Sequence, residues 1–143
     1  MLKNGKQVGF SLIELMIVVA IIAILTMIAY PTYTQYKVRV NRADMQSEMI
    51  RIAERLQNYK AVNYIFTNAT LSGVGGVATY PNNSPVFDVT LTTTAQTWLL
   101  TATPKSGTIQ TGNGSVVLNN QGQKCWTKGA TCTPTAATNW DGK

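Results

Sequence analysis

From Phe10 to Ala29 the chain runs through 20 residues of which only Glu14 is charged. As a helix this run spans about 30 Å, the thickness of a bilayer's hydrocarbon core. A secretory signal has a shorter apolar core and ends at a small-residue cut site; no small-x-small site closes this run cleanly. A run this long and this apolar also does not read as a buried core helix. It reads as a membrane anchor. Between Thr32 and Asn63 the pattern turns amphipathic. Met45, Met49, Ile52, Leu56 and Tyr59 recur at spacings of 4, 3, 4 and 3, one helical face. Glu48, Arg51, Glu54, Arg55 and Asn58 fall off that stripe, which predicts a packing face. Pro31 sits at the junction, where a missing N–H and a ring clash weaken a helix. Because periodicity resumes beyond it, one helix is expected from Phe10 to about Val62, about 80 Å long.

The pattern then changes period. Residues 63–85, including "SGVGGVATYPNNSP", read as a connecting loop. No strand precedes its glycines and no helix follows them, so a phosphate-binding loop is excluded. "VFDVTLT" (86–92) alternates Phe87, Val89 and Leu91 with Asp88 and Thr90. "TWLLTAT" (97–103) alternates Trp98, Leu100 and Ala102, and "TTAQ" is short enough for a hairpin between the two. Residues 115–120 and 123–127 supply two more strands around a Gln121-Gly122 turn. About four short sequential strands form an antiparallel meander. One face should cover the amphipathic helix and the other should meet solvent, an α+β fold. The expected partition is 1–9 as a leader, 10–30 as the anchor helix and 31–143 as a polar head. Within the head, the sheet and tail occupy 86–143.

Composition narrows the chemistry. The chain has 143 residues and no His, so it lacks the commonest general base and metal ligand. No nucleophile has a partner base and no acids cluster, so an enzyme is not expected, nor a metal or other cofactor. Cys125 and Cys132 lie seven apart in a turn-rich tail; in an oxidising compartment they read as a disulfide, since zinc needs about four ligands. Net charge is +6, compatible with a solubility device or an anionic partner. Lys37, Arg39 and Arg42 follow the anchor. They suit lipid headgroups, acids such as Asp44 or Glu48 on a neighbouring chain, or a solvated face. Near the C-terminus Lys124, Trp126 and Lys128, with Trp140 and Lys143, interleave cations and aromatics. That pattern can hold phosphates and stack bases; packing of both tryptophans onto the sheet is the favoured reading. Three N-x-S/T sites occur, at Asn68, Asn82 and Asn113.

Glu14 is the anomaly. A carboxylate inside a spanning helix costs about 2.5–3.5 kcal/mol, and no Lys or Arg in the run can pair with it. A cut after Gly9 would create a cationic amine on Phe10. Two buried opposite charges then satisfy each other, between chains if the helices pack with an axial stagger, and the pair would set the register of an assembly. A protonated Glu14 near the membrane interface is the other reading, and the residues alone leave both open.

"GFSLIELMIVVAIIAIL" (9–25), preceded by the basic "MLKNGKQV", closely resembles the class III signal of type IV pilins and pseudopilins. The resemblance is specific over about the first 35 residues. It implies cleavage after Gly9 by a prepilin peptidase and N-methylation of Phe10. It also implies interchain pairing of Glu14 with the Phe10 amine during filament assembly. The apolar helix would sit in the inner membrane of a bacterium, Gram-negative by expectation, then become the core of an extracellular pilus. Pro31 also fits the family, and by analogy residues 23–31 would melt to give an extensible fibre. A C-terminal disulfide of the Cys125–Cys132 kind bounds an exposed contact loop in pilins. The implied partners are other pilin subunits, the peptidase, the inner-membrane assembly machinery, membrane lipid before assembly, and DNA as a candidate. The expected function is a structural pilus subunit, major or minor, serving twitching motility, adhesion or DNA uptake. A type II secretion pseudopilin and a DNA-binding minor pilin of a competence pilus are the alternatives. Asp141 as the tail's one acid is too little for a calcium-held pseudopilin loop.

Overall fold

The computed structural model describes residues 9–142. A single helix, α1 (Leu12–Asn63), is followed by five strands: β1 (Thr79–Tyr80), β2 (Phe87–Thr93), β3 (Trp98–Pro104), β4 (Val116–Asn119) and β5 (Lys124–Trp126). The strands pair in chain order, all antiparallel. The chain divides into two compact units, residues 1–36 and 37–143, with the boundary inside α1.

In the first unit every residue from Gly9 to Tyr33 is exposed. This part of α1 is long and apolar enough to cross a membrane. The helix passes through Pro31 without ending. Around it the Thr26, Thr32 and Thr34 hydroxyls donate to the carbonyls of Ala23, Ile28 and Pro31 at 2.9, 3.2 and 2.9 Å. Such bonds turn side chains back onto the backbone and compete with the helical ladder.

In the second unit the predicted stripe is the helix's core face: Met45, Met49, Ile52 and Leu56 are fully buried, and Tyr59 packs against them in part. They meet the inward residues of the sheet: Phe87 and Val89 on β2, Leu100 and Ala102 on β3, Val116 and Leu118 on β4. Truncating any one of the large members to Ala is the kind of change that costs about 2–5 kcal/mol. The opposite face of β2–β3 is polar, with Asp88 across from Thr103 and Thr90 across from Thr101. Lys105 pairs with Asp88 at 3.4 Å on this exposed side, a bond worth little in water.

Three details depart from the sequence reading. The sheet has five strands rather than about four; the extra one, β1, is two residues drawn from the expected loop, paired as Thr79 with Asp88 and Tyr80 with Phe87. Glu48 does not face away: it is only 7% exposed. Lying three residues after Met45 and four before Ile52, it borders the stripe, and its carboxylate pairs with Arg51. Finally, the outer side of the sheet does not meet solvent throughout. Val117 and Cys125, paired across β4–β5, are buried, and the tail runs alongside: Trp140 Nε1 donates to the Val117 carbonyl at 3.0 Å and Trp126 N to the Asn139 carbonyl at 3.1 Å.

Candidate functional site

Two surfaces carry the candidate residues. The first is the start of α1. Ser11 N donates to Glu14 Oε2 at 2.9 Å, and Glu14 N donates to Ser11 Oγ at 3.3 Å. Ser11 precedes the first helical residue, so this is a capping box, which satisfies two helix-end donors reciprocally. The sequence reading looked for a cation and missed this partner, although Ser-x-x-Glu ahead of an apolar run announces it. Phe10 is exposed, and a Cβ added at Gly9 would meet nothing within 4 Å. The folded chain therefore does not require glycine at position 9. Residues 1–8 of the expected leader lie outside the described residues.

The second surface is the C-terminal tail. Cys125 and Cys132 form a disulfide, with Cα atoms 6.1 Å apart. The loop it closes is pinned by a bridge between Thr127 and Ala130 and lies against Gly114. Gly114 has φ +85, and a Cβ there would stand 1.9 Å from the Thr127 carbonyl oxygen; only glycine permits that approach. Lys128 sits exposed on this loop.

Trp126 is engaged on several sides. The Arg42 guanidinium lies 3.6 Å from its ring centroid. Trp126 Nε1 donates to the Asn113 carbonyl at 2.9 Å, while Arg42 Nη1 reaches Asn113 Oδ1 at 3.4 Å. Gly142 packs against the same indole. Arg42 is thus no solvated member of the basic cluster: burial, and Arg39 beside it, hold its pKa below the ordinary guanidinium value. Asn113 Nδ2 bonds Gln110 Oε1 at 2.9 Å, and Gln110 Nε2 bonds the Val38 carbonyl at 2.8 Å. This polar chain ties the tail to α1. Lys124 lies over the second tryptophan, its Nζ 4.9 Å from the Trp140 centroid. The tail therefore brings Lys124, Trp126 and Lys128 into one region, with Lys128 open and the Trp126 face held by Arg42. Lys143 lies outside the described residues. Among the described residues no group of three or more His, Cys, Asp or Glu is placed to hold a metal.

An exposed apolar helix start followed by an amphipathic helix on an antiparallel sheet defines the class: a pilin. The solved structure of the non-core minor pilin PilV of Neisseria meningitidis shares the fold, with a TM-score of 0.54 at 17% identity over 72% of this chain and 95% of that one. A model of the prokaryotic N-terminal methylation motif matches residues 5–30, and one described as "Type IV minor pilin ComP, DNA uptake sequence receptor" matches residues 31–117. The chain belongs to this type IV pilin family. Fimbrial protein EcpC of Eikenella corrodens is 35% identical over 78% of this chain and 71% of its own length. A type IV major fimbrial protein FimA of Dichelobacter nodosus is 54% identical, but over only 38% of this chain and 37% of the relative. The alignment thus spans little more than a third of that relative.

Proposed function

We propose that the chain is a structural subunit of a type IV pilus, made as a membrane-anchored precursor. A peptidase cuts after Gly9, Phe10 is N-methylated, and the helix of residues 10–30 leaves the inner membrane to become filament core. The observation that carries this reading is the fully exposed apolar start of α1, tied to the matching methylation motif. A lone chain in water has no use for so large a greasy surface; a bilayer and a helical bundle of neighbours both cover it. In this reading Glu14 leaves its capping box in part and accepts the amine of the adjacent subunit's Phe10. Pro31 and the neighbouring threonines make residues 23–31 the place where the helix yields under tension.

Within that reading we favour a minor subunit that receives DNA, over a secretion pseudopilin with the same anchor. The family description across residues 31–117 supports it. Lys124 and Lys128 would hold phosphates, while Arg42 keeps the Trp126 ring from stacking a base, so contact is chiefly electrostatic. A gel shift with the detergent-solubilised chain tests this. Binding should fall steeply as salt rises, and Lys124→Ala with Lys128→Ala should weaken it by about tenfold or more. No shift at low salt ends the DNA reading and leaves the filament reading standing.

A further inference from the structure

The apolar core does not account for the whole of the head's grip on α1. The first fully buried helix residue is Met45, yet the second unit begins at Lys37. Residues 38–44, two turns of helix, contribute no side chain to the apolar core. Polar groups and a ring hold them instead. Gln110, fully buried in the connection between β3 and β4, donates through Nε2 to the Val38 carbonyl at 2.8 Å. A helical carbonyl has a second lone pair, so it can accept this bond beside its ladder bond. Gln110 Oε1 accepts from Asn113 Nδ2, Asn113 Oδ1 accepts from Arg42 Nη1, and the Arg42 guanidinium lies on the Trp126 ring. Trp126 Nε1 donates back to the Asn113 carbonyl and closes the circuit.

The connection that presents Gln110 is set without help from α1. Thr108 Oγ1 donates to the Lys105 carbonyl at 2.7 Å and accepts from Gln110 N at 3.3 Å, and Asn113 N donates to the Gln110 carbonyl at 2.9 Å. Both side-chain amides therefore stay buried if residues 38–42 lose helical order, and both lose partners. A buried polar group left without a partner is the costly side of hydrogen bonding. The members of such a network stand or fall together. On the other side of Lys37 the helix is exposed from its start through Tyr33, and it carries Pro31 and the hydroxyl bonds of Thr32 and Thr34 to backbone carbonyls.

We propose that this circuit is a stop for helix yielding, an inference that rests on the filament-subunit reading. Loss of helical order that starts around Pro31 runs up α1 until it meets Val38, and halts there. Without the circuit it halts two turns later, at Met45, where the apolar core takes hold. Local opening of this kind ends where buried contacts begin. Because the tail enters the circuit through Trp126, the limit also depends on how the tail is seated. A tail that leaves Arg42 lengthens the yielding segment by those two turns, about 10 Å of helix.

The test is hydrogen exchange on the detergent-solubilised full-length chain, with fragmentation that resolves single amides. Slow exchange should begin at Arg42, whose amide is the helical donor to the Val38 carbonyl, and the amides of 34–41 should exchange about tenfold faster or more. Gln110→Leu removes the bond to Val38, and Arg42→Gln detaches the helix from Trp126. Each should move the onset to Met49, the helical donor to Met45, raising exchange at 43–48 about tenfold or more while 49–56 keep their rates. Arg42 is half-buried and outside the apolar core, so Arg42→Gln decides the matter if Gln110→Leu fails to fold. Unchanged rates at 43–48, or faster exchange through 49–56 as well, overturn the stop and leave the filament reading standing. A chain absent from sheared fibres overturns the filament reading, and the stop's use with it, whatever the rates.

Discussion

Glu14 shows how far one residue can be read. Its apolar surroundings are plain in the sequence, and so is the cost of placing an acid there. Its capping bonds with Ser11 were equally legible as a Ser-x-x-Glu pattern, yet a search for opposite charge passes over them. The two roles can be separated. Glu14→Gln retains a capping residue at that position and removes the charge, so the chain should still reach the membrane. Its recovery in sheared fibres should fall at least tenfold; undiminished recovery would show that the carboxylate has no part in docking. Tyr80 gives a second test at this scale. Burial, then the nearby Asp44 and Glu48, raise its pKa. A phenol harder to ionise when folded contributes stability that is present below its unfolded pKa and lost as pH rises above about 10. The urea midpoint of the detergent-solubilised chain should therefore fall above that pH. Tyr80→Phe should flatten the fall, and an unchanged slope would assign it to other groups.

At the scale of elements, period was the informative signal. The Met45-to-Tyr59 stripe and the alternation in β2 and β3 name the core face because helix and strand periodicities differ. What escaped had no period. β1 is too short to alternate, and its pairing is set by contact with β2. Glu48 borders the stripe with an apolar stem and a charged head, so counting polar letters misplaces it. The stacking of Arg42 on Trp126 joins residues 84 apart in sequence and leaves no local trace. The Cys125–Cys132 bond was legible, and it fixes the loop bearing Lys128. Reducing it, or Cys125→Ser with Cys132→Ser, should cost about 2–3 kcal/mol, read as a lower urea midpoint. No change in midpoint would mean that the tail is held by its tryptophan contacts alone.

For the whole molecule, the division of labour follows from the two halves of one helix. The apolar half has no core of its own to join and so must be covered by lipid or by neighbours. The amphipathic half completes a small α+β head whose tail is held by its tryptophans and leaves Lys128 exposed. That plan was visible in the amino-acid pattern. The seat of the tail was not, because it joins Arg42 of α1, Val117 of β4, Trp126 and Trp140 at positions with no common motif. The central claim is that this chain is processed at Gly9 and assembled through the end so created. The intact mass of the protein recovered from sheared fibres tests it most directly. The account predicts a chain that begins at Phe10 and carries one added methyl group. A chain still bearing residues 1–9, or no chain in the fibres at all, would contradict it.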